Sequence, residues 1–382
     1  MITQVKIENF YCLQNVQVTL KDFNVLVGMN DSGKSSFLEV FEILHKSTHE
    51  ATDQMFPDRL RKHIWQQDIE KEIGIAVEWD KNISYQIALK EIGQYIRIIK
   101  EHLVIDDKQV IISLPKKSQG GQEISLLNQV INGNIIITGL EGNVLKKMQD
   151  TLAFLNNIKK YSFTPDRLRQ PTPARKIEDT FDSDGLGLPS YLAVLKLEED
   201  ERFFQIVRAL QAVIPRIKTI NIAQVGPQNL YELSFTDINT GIKIPASVCS
   251  DGVLLFLAYL TLLYSPTPPS LILIENPENN IYPHYLESIV SYLKRLSQTQ
   301  INGQTPQIIV TTHSPYLLDY VEAGEVLVFY RHEKDGTTVV KRLSEIPNFE
   351  AKKKDLLLGE LWTTLGEEAL METGKALISN NL

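Results

Sequence analysis

The segment GMNDSGKSS, Gly28 to Ser36, constrains the fold of this 382-residue chain more than any other. It follows the apolar run FNVLV, which is typical of a buried strand. It precedes residues 34–46, whose apolar positions have helical spacing. A glycine-rich loop between a strand and a helix lets backbone N–H groups surround phosphates at the positive end of the helix. The spacing fits G-x-x-x-x-G-K-[ST], and a chance glycine-rich turn is the alternative.

This phosphate loop predicts a site for ATP and Mg²⁺. Lys34 is expected to contact the β- and γ-phosphates, and the Ser35 hydroxyl is expected to hold Mg²⁺. The loop's amide N–H groups are expected to point inward at the phosphates. The predicted nucleotide-binding residues of the loop are Gly28, Met29, Asn30, Asp31, Ser32, Gly33, Lys34, Ser35 and Ser36.

The composition limits the classes of partner. With 39 Lys and Arg against 47 Asp and Glu, the net charge of −8 is no electrostatic footprint for nucleic acid. Basic stretches at 56–65, 165–176 and 352–354 leave DNA open, although ordinary surface charge is the favoured interpretation. The start of the sequence has no signal segment and no apolar stretch could cross a bilayer, so we expect a cytoplasmic protein that uses no membrane.

The order of predicted elements indicates an α/β fold with a mostly parallel core sheet, an antiparallel β subdomain and a helical lobe. Residues 71–137 have the pattern of an antiparallel meander, whereas the chain alternates between helix and strand from residue 251 onwards. We therefore predict a single domain over 1–382. Its parts are 1–50 and 246–345 for the nucleotide-binding core, 51–163 for an inserted mainly antiparallel β subdomain, 164–245 for a helical lobe and strand pair, and 346–382 for a helical tail.

A second motif is LILIENPENNIYP, residues 271–283, in which a buried strand is predicted to end at Glu275. In a nucleotide site this carboxylate would reach Mg²⁺ through water, whereas elsewhere it would be an ordinary solvated glutamate. A site that hydrolyses ATP is expected to have a second acid next, to handle the attacking water. This chain has the amide Asn276 there.

Two further motifs complete the predicted site. In IIVTTHSP, residues 308–315, another buried strand is predicted to end just before His313. Parallel strands present their carboxyl ends at one sheet edge, so Glu275 and His313 are expected to converge near the γ-phosphate, although a structural histidine is the alternative. In CSDGVLLFLAYLTLL, Ser250 is predicted to cap a buried helix whose first turn contains Asp251 and Gly252. That helix start is a second candidate anion site.

These motifs, in this order, resemble the ABC-type ATPases outside membrane transport, namely the RecF, OLD and SMC-like heads, and in particular the compact AAA-labelled stand-alone ATPases of bacteria. The segments VKIENFYCLQNVQVTLKDFNVLVG, DGLGLPSYLAVL, THSPYLLDYV and LLLGELWTTL extend the resemblance over most of the chain. It implies that Glu275 is the Mg²⁺-associated acid and His313 the switch histidine. It also implies that Ser250, Asp251 and Gly252 replace the signature segment, which contacts ATP held by a second subunit in a head-to-tail homodimer.

Two departures from the family pattern keep alternatives open. Asn276 stands in the place of the catalytic acid, and Tyr282 in the place of the histidine before Pro283. The chain is therefore interpreted either as a slow ATPase switch acting on an unknown partner or DNA, with Glu275, Asn276 and His313 as catalytic residues, or as a non-hydrolysing scaffold for a separately encoded effector. An OLD-type nuclease domain, SMC arms and the transporter signature LSGGQ are not expected.

Overall fold

The computed structural model describes residues 1–50, 52–56, 60–68, 70–79, 82–93, 95–106, 108–112, 125, 127, 129, 142–174, 181–347, 349 and 356–371. The chain divides into two compact units, one formed by Met1–Ile158 with Val321–Leu382 and the other by Lys159–Tyr320. The domain boundaries given by the sequence stay a prediction. Within the described residues, no helix is long and apolar enough to cross a membrane.

The first unit begins with one hairpin of two strands, a third strand and the helix that follows the phosphate loop. In chain order its elements are β1 (Ile2–Phe10), β2 (Leu13–Thr19), β3 (Phe23–Val27), α1 (Lys34–Ser47), α2 (Thr52–Met55), β4 (Ile73–Trp79), β5 (Ile83–Ile92), β6 (Tyr95–Ile105), β7 (Lys108–Ile112) and α3 (Gly142–Asn156). The strand β3, the phosphate loop and the helix α1 have the predicted order, and every residue of β3 is buried.

Six of these strands form one antiparallel sheet in the order β2-β1-β4-β5-β6-β7. The predicted antiparallel meander is confirmed as far as β7, and most of its remainder lies outside the described residues. The strands β1 and β2, which the sequence groups with the nucleotide-binding core, also belong to this sheet. The reason is that β1 pairs with β4 through apolar partners such as Val5 opposite Val77, both fully buried.

The second unit contains the predicted alternation of helix and strand. Its elements are β8 (Ile158–Tyr161), α4 (Pro165–Leu168), α5 (Leu188–Leu197), α6 (Glu201–Val213), β9 (Ile217–Val225), β10 (Leu230–Asp237), β11 (Lys243–Pro245), α7 (Asp251–Leu263), β12 (Leu271–Glu275), α8 (Pro283–Gln298), β13 (Gln307–Thr311) and α9 (Pro315–Leu318). The strands β12 and β13 are parallel neighbours, as predicted, and β9 to β11 form a separate antiparallel sheet.

The helices α5 and α6 follow each other closely in the chain but are separate elements. Glu199 between them has a left-handed φ of 53°, which an α-helix cannot accommodate. Asp200 then caps α6, because its carboxylate accepts a hydrogen bond from the Arg202 N–H. The apolar helix predicted after Ser250 is α7, in which every residue from Val253 to Leu263 is buried.

The chain re-enters the first unit with β14 (Val326–Arg331), β15 (Thr338–Arg342) and α10 (Leu358–Met371). β14 pairs parallel to β3, with Val328 opposite Val27, and antiparallel to β15. The hairpin of β14 and β15 therefore lies beside the strand that leads into the phosphate loop.

Candidate functional site

The phosphate loop has a backbone that only glycine fits at two positions. Gly28 has a φ of 154°, and a Cβ there would lie 2.3 Å from the backbone oxygen of Phe329. Gly33 has a φ of 99°, and a Cβ there would lie 2.8 Å from Cys12 Sγ. Both glycines are therefore required by backbone conformation and by close approach. The loop is held between the end of β14 and the turn that joins β1 to β2.

Lys34, the first residue of α1, has its ammonium group inside this loop. The Nζ atom donates hydrogen bonds to Gly28 O at 2.8 Å, Met29 O at 2.7 Å and Ser32 Oγ at 3.3 Å. The residue is only 5% exposed, and a charge buried this deeply requires such partners. Ser35, by contrast, is exposed. A buried cation at the N-terminus of a helix gives the loop a positive interior suited to phosphate.

Asp31 is the acidic member of the loop and has a left-handed φ of 66°. Its carboxylate forms an ion pair with Arg331, at the end of β14. Thr338 in β15 braces the same loop, because its hydroxyl donates to Ser32 O at 3.0 Å. The sequence analysis did not identify Arg331 or Thr338. Both lie far from the loop in sequence and are brought to it by the pairing of β14 with β3 and β15.

In the second unit, the ends of β12 and β13 bring the other predicted residues together. Glu275 pairs with Thr311 in the parallel register, and the Asn276 N–H donates to Thr311 O at 3.0 Å. Two residues later, Glu278 Oε1 accepts a hydrogen bond from the His313 N–H at 2.8 Å. The predicted neighbourhood of Glu275, Asn276 and His313 is therefore present at this sheet edge.

Two acceptor oxygens in this cluster are buried and have no partner among the described residues. They are Oδ1 of Asn276 and Oε2 of Glu278. Leaving a buried acceptor unpaired costs about 1–3 kcal/mol, so each oxygen is suited to a donor from outside the chain. Burial raises the pKa of the Tyr259 phenol, and the charge of Glu278 raises it further. This tyrosine of α7 therefore stays neutral beside the Glu278 carboxylate.

Glu275 itself forms an ion pair with Lys160, whose Nζ lies 3.3 Å from Glu275 Oε2. Both side chains are largely buried, with 23% of Lys160 and 22% of Glu275 exposed. Lys160 belongs to the short strand β8, and its local sequence gave no sign of this role. The ion pair places a positive charge beside the Glu275 carboxylate.

Helix α7 begins after the predicted cap residue, but the contacts at its start are not those of a helix capped by a side chain. Ser250 is the N-cap residue, although its side chain makes no capping hydrogen bond. The Asp251 carboxylate forms an ion pair with Arg169 at 2.5 Å. A Cβ on Gly252 would lie 3.5 Å from Asn280 O, so this helix start faces the loop that follows β12. Burial raises the pKa of the neighbouring Cys249 thiol, which therefore stays neutral.

The predicted basic stretches are partly neutralised. In the stretch 165–176, Arg167 pairs with Asp184 at 2.7 Å, and Arg169 pairs with Asp166 as well as with Asp251. The stretch 352–354 lies outside the described residues. The ion pairs support the interpretation of 165–176 as ordinary surface charge.

The side chains predicted to hold Mg²⁺ carry oxygen donors, which is the type of ligand that this ion prefers. Among the described residues, no group of three or more His, Cys, Asp or Glu side chains is placed to hold a metal ion. Mg²⁺ in phosphate-transferring proteins needs few protein ligands, because phosphate oxygens and waters complete its octahedron. The Ser35 hydroxyl and the Glu275 carboxylate are each oxygen donors of the type that Mg²⁺ prefers, and their role as its ligands stays a prediction.

Comparisons with known proteins identify a family and a similar fold. The family model described as "AAA domain, putative AbiEii toxin, Type IV TA system" matches residues 23–319. A solved Smc head, bound to the C-winged helix domain of ScpA, is 11% identical and has a TM-score of 0.53 over 89% of this chain and 96% of that one. The SMC head domain from Thermotoga maritima is 12% identical over 89% of this chain and 98% of that one, with a TM-score of 0.47. None of the curated proteins matches the chain.

The family match covers most of the chain and includes the phosphate loop, Glu275 and His313. The likeness to the first Smc head shows the fold, and the resemblance inferred from the sequence motifs is confirmed. The chain therefore belongs to the AAA-domain family with that description, and its α/β fold is similar to that of the Smc head.

Proposed function

We propose that this protein is a molecular switch in which ATP and Mg²⁺ close a head-to-tail homodimer and slow hydrolysis reopens it. Membership of an AAA-domain family supports ATP binding and hydrolysis. The observation that carries the proposal is the phosphate loop, with Lys34 buried inside it and glycine required at Gly28 and Gly33. Steady-state release of phosphate, compared with that of a Lys34→Ala variant, tests the enzymatic part directly.

The proposed roles follow from the chemistry of each side chain. Lys34 neutralises the β- and γ-phosphates, and the helix dipole of α1 adds to its effect. Ser35 and Glu275 would hold Mg²⁺, which would neutralise part of the charge of the phosphates. His313 orients the γ-phosphate end of the nucleotide, and its backbone N–H fixes the Glu278 carboxylate.

Asn276 sets the expected rate. An amide oxygen can position water, but it cannot accept the proton that a carboxylate would accept. General-base assistance is typically worth about 10²- to 10⁴-fold. We therefore expect turnover that is measurable and slow. The alternative function is an ATP-dependent scaffold that does not hydrolyse ATP. The same amide side chain favours it. In that case the turnover of ATP would equal that of the Lys34→Ala variant.

The surface around the start of α7 supports dimerisation. Val248 is 72% exposed and Tyr282 is 68% exposed, and both lie next to the segment Ser250–Gly252 in sequence or space. Exposed aromatic and aliphatic side chains around a polar helix start are the composition of an interface centre. The helix start offers free N–H groups to a phosphate carried by a second copy.

Ser250→Arg is expected to weaken ATP-dependent dimerisation at least about tenfold. A long charged side chain at the N-cap would crowd the contact with the second copy. Sedimentation of the variant and the wild type, each with and without ATP and Mg²⁺, measures the effect.

Ser247→Arg is the matched control, since Ser247 is exposed and lies just before the helix start. It should dimerise more tightly than Ser250→Arg. A wild type that stays monomeric at every ATP concentration would contradict the head-to-tail switch.

The partner of this switch is proposed to be an effector protein encoded separately or DNA. The net charge of −8 and the ion pairs of Arg167 and Arg169 give DNA less support. Stimulation of phosphate release by duplex DNA would reverse this order.

A further inference from the structure

The phosphate loop contains an acid where its ligand is an anion. Asp31 lies between Gly28 and Lys34, and its side chain is 85% exposed. A carboxylate this close to the phosphates of ATP would repel them, and the repulsion extends over about 10 Å at 0.1 M salt. An uncompensated acid at this position would therefore lower the affinity of the loop for ATP.

The backbone explains which residues the position accepts. Asp31 has a φ of 66°, a conformation that glycine, asparagine and aspartate adopt with less strain than other residues. Glycine or asparagine would therefore satisfy the backbone without adding a charge. The presence of a carboxylate at this position therefore needs a separate explanation. The contact between Asp31 and Arg331 supplies it.

Arg331 contacts both the charge and the backbone of Asp31. Its Nη1 atom forms the ion pair with the carboxylate and lies 3.3 Å from Asp31 O. Its Nε atom donates to Gly336 O at 3.0 Å, in the turn between β14 and β15. The guanidinium is thus fixed on two sides, which reduces the entropy lost when it pairs with the acid.

The hairpin that carries Arg331 is built against the loop. Phe329 O leaves no room for a Cβ on Gly28, and the Thr338 hydroxyl donates to Ser32 O. Arg331 is the cationic member of this set of contacts. Its place at the loop is therefore a feature of the β14–β15 hairpin and not of a freely moving surface side chain.

We propose that Arg331 is a positioning residue for ATP binding, which neutralises Asp31 and holds it in the left-handed conformation that the phosphate loop requires. This inference rests on the proposed binding of ATP. It predicts that the affinity for ATP depends on the balance of charge between Asp31 and Arg331 as well as on Lys34.

Three variants test the pair by equilibrium binding of a fluorescent ATP analogue with Mg²⁺. Arg331→Ala should bind about five- to tenfold more weakly, because Asp31 is then uncompensated. The double variant Asp31→Gly with Arg331→Ala should recover most of that loss, because the repulsive acid is gone. The loss in Arg331→Ala should shrink in 1 M salt, where charges are screened within about 3 Å.

Asp31→Asn provides a second measurement that leaves the arginine in place. Asparagine also tolerates the left-handed φ, and without the carboxylate the charge of Arg331 is no longer neutralised. The variant should therefore bind the ATP analogue at least as tightly as the wild type does. Weaker binding by Asp31→Asn would overturn the proposal. So would a double variant as weak as Arg331→Ala, since Arg331 would then act only as a brace.

The Lys34→Ala variant separates this inference from the proposed function. If Lys34→Ala loses ATP and Arg331→Ala does not, the role of Arg331 is wrong and ATP binding stands. If Lys34→Ala binds as the wild type does, the phosphate loop assignment fails and the inference fails with it.

Discussion

Lys34→Ala is expected to bind ATP between about tenfold and about a hundredfold more weakly than the wild type. Hydrogen bonds to a charged group are worth about 1.5–3 kcal/mol, and each 1.4 kcal/mol is a factor of ten in affinity. The ammonium is already fixed inside the loop by Gly28 O and Met29 O, so its charge is positioned for the phosphates before ATP arrives. Pre-positioned charge contributes more to binding than a mobile side chain does.

Equilibrium binding of a fluorescent ATP analogue measures this loss. Lys46→Ala is the matched control, because Lys46 lies in the last turn of the same helix. At 1.5 Å per residue it is about 18 Å from Lys34, beyond the screening length at physiological salt. It should bind the analogue within about twofold of the wild type, whereas equal losses in both variants would mean that net charge, and not the loop, determines binding.

The thermal unfolding of Lys34→Ala serves as a second control. Removing the ammonium takes one donor from Gly28 O and one from Met29 O, which still accepts from the Ser32 N–H at 3.3 Å, so the loop itself loses support. A variant that unfolds cooperatively close to the wild-type temperature and still loses ATP confirms a direct role in binding. An unchanged affinity in such a folded variant would rule out Lys34 as the phosphate ligand.

The phosphate loop could be predicted because its determinants are local. The apolar strand β3, the glycines and the start of α1 at Lys34 are contiguous, and each imposes its own conformation on the chain. The ends of β12 and β13 could be predicted for a related reason. Two short, fully apolar runs separated by an amphipathic helix require a parallel pair, which places the residues after both strands at one edge.

The partners of these residues could not be predicted in the same way. Arg331 and Asp31 lie 300 positions apart, and their contact depends on the pairing of β14 with β3. Lys160 reaches Glu275 from a four-residue strand whose sequence, IKKY, has no motif. The pairing of β1 with β4 was equally hidden, because alternating apolar residues specify a face of a strand but not its neighbour.

The backbone conformation of Asn276 limits which substitution can test its role in hydrolysis. The sequence did not reveal this limit. Asn276 has a φ of 46°, a left-handed value that asparagine and aspartate tolerate better than longer residues. Glutamate at this position would therefore combine a new carboxylate with backbone strain of about 1 kcal/mol. Aspartate has the same length as asparagine and adds the carboxylate without that strain.

Asn276→Asp is therefore expected to raise the turnover of ATP by about tenfold or more. The buried Oδ1 atom of Asn276 has no donor among the described residues, so it is suited to accept a hydrogen bond from the attacking water. A carboxylate oxygen in the same place also accepts the proton, which the amide cannot do. The expected change is in kcat, because the residue acts on the water and not on the bound nucleotide.

Glu278→Gln is expected to lower turnover by about 10²-fold. In the wild type this residue is the nearby carboxylate suited to take the proton, since Oε1 accepts from the His313 N–H and the buried Oε2 has no partner within the described part of the chain. Glutamine has nearly the same shape as glutamate but no negative charge. The substitution therefore removes the proposed base and preserves the conformation of the loop around Glu278. Glu287→Gln, at an exposed position in α8, is the matched control and should leave turnover unchanged.

The two substitutions are most informative together, by steady-state phosphate release with Lys34→Ala as the blank. If Glu278 supplies the carboxylate that Asn276 lacks, then adding Asn276→Asp to Glu278→Gln should restore much of the lost rate, because one base replaces the other. If Glu278→Gln leaves the rate unchanged, Glu278 is structural and the amide alone positions the water. If Asn276→Asp abolishes a robust wild-type activity, a neutral side chain is required at that position, as glutamine is in small GTPases. A wild type no faster than the blank, with or without DNA, would leave the scaffold as the function of this chain.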